Sequence, residues 1–303
     1  MESKLIPYIQ ALFPQPEDAP VPNGDDATVV STTDRTAVTV DTQIENVHFQ
    51  WAWGTPGQLG ARLVGVVLSD LAAMGARPRH GVLSLMVPPG YPLVRVKAWL
   101  RGVRQRSLQE GFSIVGGDVT NAQAFGAVLT AFGEAPARPL QRNGASPGEL
   151  LCVTGPIGEP SWELASLLAG RRKQARRWLV PPSRVGLGQA LAANERVTAA
   201  MDISDGLFID ARRLARASGV GVCIDLDRIP RTSPVVRALK GLTREAQMKL
   251  LGGGEDYELL VAVKPDGAIP EGLIPIGHIT SKNMLISSGD HRFSWPSAGY
   301  LHR

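Results

Sequence analysis

Gly60-Ala61-Arg62-Leu63-Val64-Gly65-Val66-Val67-Leu68-Ser69-Asp70-Leu71-Ala72-Ala73-Met74-Gly75 carries its apolar residues at helical spacing with no proline to interrupt it. Length and period together specify a helix. Before it, Val29-Val30, then Ser31 to Arg35, then Thr36 to Asp41 predict a hairpin whose second strand alternates. Val38 and Val40 fall on one face of that strand and Thr39 and Asp41 on the other, which points Asp41 away from the core. After the helix come strand Val82 to Val87, helix Leu93 to Glu110, and strands Phe112 to Val115 and Ala127 to Phe132. Helices mixed with strands in this order predict an α/β architecture of the α+β type, with mixed sheets and helices packed on them.

Ala135-Pro136-Ala137-Arg138-Pro139 reads as a linker, and the alternation restarts beyond it with strand Leu150 to Thr154. Helices Trp162 to Leu168, Val185 to Ala193 and Leu207 to Ala217 follow, with strands Gly221 to Leu226, Glu258 to Val263 and Ile274 to Ile279. The expected division is residues 1–137 and 138–303. At 303 residues and 44% hydrophobic composition, two packed domains are the expectation.

The formal charge of +4 is mildly basic. Part of the excess lies in Arg171-Arg172-Lys173-Gln174-Ala175-Arg176-Arg177, without the aromatic platform or recognition motif of a nucleic-acid binder, so the run reads as a solvated helix face. Cys152 and Cys223 sit in apolar strand-like runs and read as reduced core residues, which favours the cytoplasm. Neither an export signal nor a membrane span is expected.

Seven aspartates stand beside glycine or small hydroxyl residues, or inside apolar runs: Asp25, Asp26, Asp41, Asp70, Asp118, Asp202 and Asp205. Carboxylates are costly to bury unpaired, so a shared hard cation such as Mg2+ is their natural partner, and Mg2+ commonly brings phosphate. Asp70 falls inside the apolar arc of Leu63, Val66, Val67, Leu71 and Met74, with a core Asp bonded to loop amides as the alternative. Gly116-Gly117-Asp118 reads as a turn after an apolar strand, its amides open to an anion. Met201-Asp202-Ile203-Ser204-Asp205-Gly206 precedes a helix, where Ser204 or Asp205 could simply cap. Gly252-Gly253-Gly254-Glu255-Asp256-Tyr257-Glu258 could be a glycine turn with solvated acids. No Gly-Lys pair exists, which removes the Walker loop, and no Gly-x-Gly-x-x-Gly occurs. Gly144-Ala145-Ser146-Pro147-Gly148 mimics a hydrolase elbow, but Pro147 lacks the N–H an oxyanion hole needs, so it reads as a turn. The five histidines lack metal-pair spacing, which argues against zinc.

In this order Gly24-Asp25-Asp26-Ala27, Asp41-Thr42 with Val47-His48-Phe49, Leu68-Ser69-Asp70-Leu71-Ala72-Ala73-Met74-Gly75-Ala76, Gly116-Gly117-Asp118, Arg142-Asn143-Gly144-Ala145, Asp202-Ile203-Ser204-Asp205-Gly206-Leu207 and Gly253-Gly254-Glu255-Asp256-Tyr257-Glu258-Leu259 strongly resemble the thiamine-monophosphate kinase family. That family belongs to the superfamily of aminoimidazole ribonucleotide synthetase and selenophosphate synthetase. The resemblance implies the two-domain aminoimidazole ribonucleotide synthetase-like fold, with a metal and ATP site and a dimer interface in the first domain, and a second domain that completes the active site. It further implies ATP-dependent phosphorylation of thiamine monophosphate to thiamine diphosphate, by direct in-line transfer with several Mg2+ ions. Asp26, Thr39, Asp41, Asp70, Asp118, Asp202 and Asp205 match the metal positions, and Asp41, Asp118 and Asp205 the catalytic set. Gly117, Asp118, Arg142 and Ser204 match positions that hold ATP, and His48, Glu255 and Tyr300 match positions around the thiamine phosphate. A homodimer is implied, with neither nucleic acid nor membrane as partner.

Three departures stand out. Val40 replaces the usual hydroxyl before the metal Asp, so any ligand there is its backbone carbonyl. Pro22-Asn23 precedes Gly24, and Gly158-Glu159-Pro160-Ser161-Trp162 replaces the family's turn. Two rival readings remain: a non-catalytic nucleotide- or thiamine-phosphate-binding protein, and a ring-closing enzyme like aminoimidazole ribonucleotide synthetase.

Overall fold

The computed structural model describes residues 2–14, 16–19, 30, 32, 34–171 and 175–296. Asp25, Asp26, the Pro22-Asn23 departure, the first hairpin strand at Val29 and Tyr300 lie outside them. Two compact units result: Met1–Leu71 with Ala76–Ala135, and Ala72–Gly75 with Pro136–Arg303.

The first unit contains α1 (Glu2–Leu12), β1 (Thr36–Ile44), a single 3-10 turn (Trp51–Trp53), most of α2 (Pro56–Ala73), β2 (Arg77–Met86), α3 (Leu93–Gln109), β3 (Ser113–Thr120) and β4 (Gly126–Glu134). Its sheet runs β1-β4-β2-β3. β4 pairs antiparallel with both neighbours, while β2 and β3 are parallel and joined through α3. Leu63, Val67, Trp99, Leu100, Val103, Leu85, Ala127 and Leu129 are all buried here. Two glycines let α2 and α3 approach closely. A Cβ on Gly60 would lie 2.1 Å from the Trp99 carbonyl oxygen, and one on Gly102 would lie 1.8 Å from that of Gly57.

The structure reverses one expectation about β1. Val38 and Val40 are the outward residues, 59% and 57% exposed. Thr39 and Asp41 lie on the face that meets α2, because Thr39 Oγ1 donates to Asp70 Oδ2 at 2.5 Å. Alternation showed correctly which residues share a face; polarity misassigned the face. The other expectation to change is the Gly116-Gly117-Asp118 turn, since β3 continues through all three residues to Thr120. Pairing with β2, after a register shift at Gly81/Val82, carries the strand past the glycines.

The second unit contains β5 (Leu150–Val153), α4 (Glu159–Leu168), α5 (Arg176–Leu179), α6 (Val185–Ala192), β6 (Val197–Asp202), α7 (Leu207–Ser218), β7 (Gly221–Asp225), α8 (Ser233–Leu239), α9 (Arg244–Leu251), β8 (Leu259–Val263), β9 (Ile274–Thr280), β10 (Met284–Ser288) and β11 (His291–Phe293). Its sheet runs β11-β10-β7-β9-β5-β8-β6, antiparallel throughout except for β10 and β7. Leu207, Phe208, Ala211 and Leu214 of α7 pack on Ala199, Met201, Leu260 and Ile276 in one core cluster. The linker is anchored in this unit, with Arg138 donating to the carbonyls of Val197, Ala192 and Asn194. Gly144 to Gly148 forms the expected turn, with Ser146 N donating to Glu149 Oε2. Cys152 and Cys223 are buried and unbridged, and burial pushes the Cys152 thiol up to about 12.

Candidate active site

In the first unit the acids are distributed across the sheet by strand register. Asp41 is two residues from Thr39 on the same face of β1, so Thr39, Asp41 and the Asp70 carboxylate of α2 form one oxygen-rich group. The Thr39 hydroxyl orients Asp70. A row of paired residues runs across the sheet from Asp41 through Leu129 and Leu83 to Gly117. Three strand intervals separate its ends, about 14 Å. Asp118 pairs with Ser84 and is exposed. Gly117 is required as glycine on two counts: its φ is +156°, and a Cβ would lie 1.9 Å from the Leu83 carbonyl oxygen.

His48 sits in a tight turn closed by hydrogen bonds from Val47 N and His48 N to Ile44 O. Its Nδ1 accepts from Ile44 N at 3.1 Å, so the neutral ring carries its proton on Nε2. Beside it, Phe49 is buried against Trp51 and Phe125, and Tyr91 Oη donates to Glu45 at 2.8 Å.

In the second unit two loops are joined lengthwise. Ile203 N donates to Glu258 O, Tyr257 N to Ile203 O, and Glu255 N to Ser204 O, at 2.8, 2.9 and 2.8 Å. Glu255 and Tyr257 adopt φ of +69° and +50°, uncommon for non-glycine residues and held here by those bonds. Close contact of the loops excludes side chains at the glycines. A Cβ on Gly206 would lie 2.1 Å from Gly252 O, and one on Gly253 would lie 1.9 Å from Ser161 Oγ. The Gly158 to Trp162 departure thus has a structural role: Gly158, at φ +90°, donates its N–H to Asp256 Oδ1 at 2.8 Å, and Pro160 helps open α4.

Neither Ser204 nor Asp205 caps α7. Gly206 is the cap residue, and Asp210 reaches back from the first turn to accept from Asp205 N and Gly206 N at 3.1 and 3.0 Å. Asp202, which ends β6, is buried. Ser218, at the far end of α7, donates to Arg142 O at 3.1 Å. Arg142 and Ser204 are therefore attached at opposite ends of a helix about 18 Å long. The C-terminal segment is pinned on the same helix as far as Pro296, with Trp295 Nε1 donating to Phe208 O and Arg212 to Pro296 O.

Two of the three acids of the 252–258 loop, Asp256 and Glu258, are buried and not solvated, while Glu255 is half-buried. Glu258, with no exposed surface, accepts from Arg177 Nη2 at 2.6 Å, Arg184 Nε and Nη2 at 2.6 and 2.8 Å, and Thr154 Oγ1 at 2.6 Å. Arg177 therefore turns inward from the basic run, whose residues 172–174 lie outside the described set. Asp256 is fully buried, its Oδ2 has no hydrogen-bond partner among the described residues, and burial raises its pKa well above the usual carboxylate range. Glu163 accepts from Trp178 N at 2.7 Å, and burial pushes it up to about 7. Burial also raises Asp210, to about 6, against the opposing pull of Arg213.

Sequence reasoning missed Asp210, Arg213, Glu163, Arg177, Arg184 and the burial of Glu258. For Asp210 a signal existed, an acid in the first turn of a helix. Arg213 pairs locally with Asp210 and Asp205, whereas Arg177 and Arg184 meet Glu258 across separations of 81 and 74 residues.

Every metal donor expected from the sequence is a hard oxygen, which fits Mg2+. Among the described residues no three His, Cys, Asp or Glu side chains are grouped to hold an ion alone. Such a set relies on water and phosphate oxygens to complete a Mg2+ shell.

Comparison with known proteins defines the class first. Residues 24–135 match the family described as AIR synthase related protein, N-terminal domain, and residues 146–273 match its C-terminal domain. Thiamine-monophosphate kinase of Mycobacterium tuberculosis is 32% identical over 271 residues, covering 88% of this chain and 80% of the relative. That of Halobacterium salinarum is 34% identical over 264 residues, covering 85% and 88%. The chain belongs to the thiamine-monophosphate kinase family. Among solved structures, the Stenotrophomonas maltophilia thiamine-monophosphate kinase superposes with a TM-score of 0.81 at 29% identity, covering 94% of this chain and 95% of that one. AaThiL complexed with AMPPCP and TMP superposes with a TM-score of 0.78 at 26% identity, covering 88% and 87%. Escherichia coli HypE, a hydrogenase maturation protein, has a TM-score of 0.79 at 20% identity, covering 98% of each chain, and shares the fold.

Proposed function

We infer that this chain is a kinase that transfers the γ-phosphoryl group of ATP to the phosphate of thiamine monophosphate, releasing thiamine diphosphate and ADP. The bond from the γ-phosphorus to the β,γ-bridging oxygen breaks, and a bond from an oxygen of the acceptor phosphate to that phosphorus forms. Such a transfer asks the protein for alignment and charge neutralisation more than for covalent chemistry. One observation carries the reading: the Thr39, Asp41 and Asp70 oxygens share one face in a chain about a third identical to thiamine-monophosphate kinases over most of its length.

We propose Mg2+ as the counter-cation, held by Asp26, Thr39, Asp41, Asp70, Asp118, Asp202 and Asp205 with the Val40 carbonyl. When bound, Mg2+ neutralises phosphate charge and screens the γ-phosphate from the incoming monoester. The 14 Å row between Asp41 and Gly117, an interval of about three strands, supports separate ions over one shared ion. Asp41, Asp118 and Asp205 are the proposed catalytic carboxylates. Gly117, Asp118, Arg142 and Ser204 are assigned to ATP, and His48, Glu255 and Tyr300 to thiamine monophosphate. The Nε2 proton of His48 and the fixed backbone of Glu255 support the last assignment.

The domain boundary at 137/138 and a homodimer are also proposed. Val38 and Val40 give β1 an outward apolar surface of the kind a second copy covers. Sedimentation at micromolar concentration should show a dimer. The buried, unbridged cysteines support a cytoplasmic location, and among the described residues no helix is long and apolar enough to cross a membrane.

The test is ADP release from ATP and Mg2+ with and without thiamine monophosphate. The reading requires release that depends on thiamine monophosphate. Nucleotide binding without such turnover would favour a non-catalytic binding protein, and turnover on an aminoimidazole ribonucleotide precursor alone would favour the ring-closing reading.

A further inference from the structure

Arg213, midway along α7, has one nitrogen shared between two carboxylates near the start of the helix. Its Nη1 donates to Asp205 Oδ2 at 2.5 Å and to Asp210 Oδ1 at 2.7 Å. Asp210 is fully buried and fixed on its other side by the peptide N–H groups of Asp205 and Gly206. It is thus an anchor that cannot follow the guanidinium outward. Arg213 is 40% exposed and its side chain is long, so it is the mobile partner. Asp205 sits between these two restraints, its backbone held by Asp210 and its carboxylate by Arg213.

We propose that Asp210 and Arg213 are positioning residues for Asp205, and that Arg213 is a resident cation which Asp205 exchanges for Mg2+ when nucleotide binds. This rests on the assignment of Asp205 as a metal ligand. The two residues act in opposite senses. Arg213 neutralises Asp205 and competes with the metal for the same oxygen. Asp210 draws part of the guanidinium charge to itself and holds the 205–206 peptide, which leaves Asp205 more available to the metal. A generic role in stability would make both substitutions act in the same direction.

The experiment is calorimetric titration of Mg2+ into protein with AMPPCP, for the parent, Arg213→Gln, Arg213→Lys, Asp210→Asn and Asp205→Asn. Arg213→Gln should lower the Mg2+ concentration that half-saturates nucleotide binding by about two- to fivefold, the range for a partly exposed ion pair. Arg213→Lys, which keeps the charge, should stay near the parent, and Asp210→Asn should raise the requirement by a similar factor. If Arg213→Gln leaves the requirement unchanged or raises it, the inference is overturned. Arg213 is partly exposed, so this variant remains informative even where Asp210→Asn fails to fold. Asp205→Asn separates the two levels. A parental Mg2+ requirement there removes the ligand assignment and the inference with it, whereas a raised requirement beside an unresponsive Arg213→Gln removes the inference alone.

Discussion

Two carboxylates assigned to the metal, Asp70 in the first unit and Asp205 in the second, are held by different chemistry. In the first, a neutral hydroxyl, Thr39, orients Asp70, and Asp118 is exposed. In the second, guanidinium groups hold the acids: Arg213 for Asp205 and Asp210, Arg177 and Arg184 for Glu258. A hydroxyl fixes the direction of a carboxylate without cancelling its charge, while a guanidinium does both. The second arrangement thus carries cations of its own beside Asp205 and Glu258.

The largest effect expected from this contrast is on catalysis. Asp41→Asn should reduce turnover by about 10³-fold while the protein stays folded, because a neutral amide cannot hold a cation against the transferring phosphate. Circular dichroism and saturating-Mg2+ kinetics check it, and near-normal turnover in a folded variant would place the essential cations elsewhere.

Glu258 probes the opposite case. Glu258→Gln leaves two arginines around a neutral group and should destabilise the protein by about 3 kcal/mol, measured by denaturant unfolding. An unchanged midpoint would mean that solvent already compensates Arg177 and Arg184.

Glu163 sharpens the comparison through pH. Burial raises its folded value to about 7, from an ordinary value of 4.5. Between those values the folded chain keeps a proton that the unfolded chain has released. Its contribution to stability is therefore full below the unfolded value, falls as pH rises toward 7, and is level above that, a change on the order of 3 kcal/mol. Glu163→Gln should lack this slope. Melting temperatures at pH 5 and 7 for both proteins test it, and equal slopes would remove Glu163 as the source.

The smallest effect concerns Asp70. Asp70→Asn keeps an acceptor for Thr39, so the metal-free variant should be at least as stable as the metal-free parent, within about 1 kcal/mol. The stabilisation gained from Mg2+ with ATP should be clearly smaller in the variant. A strongly destabilised metal-free variant with an unchanged Mg-ATP shift would make Asp70 a purely structural residue.

Periodicity made much of this architecture legible. The Gly60 to Gly75 helix appears as α2, Pro56–Ala73, and the Leu93 to Glu110 helix as α3, Leu93–Gln109. The elements missed are α1, which holds Pro7 in its interior, the short α5, β10 and β11, and also β6, α8 and α9, while β3 was expected to stop before the glycine pair through which it passes. The acids were visible as a set because their neighbours were unusual. What compensates them was not visible, since Glu258 meets Arg177 and Arg184 across separations of 81 and 74 residues. Short-range pattern carries no information about such pairs.

The Glu255 N–H to Ser204 O bond has a thermodynamic consequence. It makes a residue proposed for the nucleotide and one proposed for the acceptor adjoining parts of one stiff strip, with Tyr257 and Ile203 continuing it. A ligand that displaces Ser204 must displace Glu255 or break that bond. The affinities of the two substrates are then linked, and linkage is reciprocal: whatever factor ATP imposes on thiamine monophosphate, thiamine monophosphate imposes on ATP.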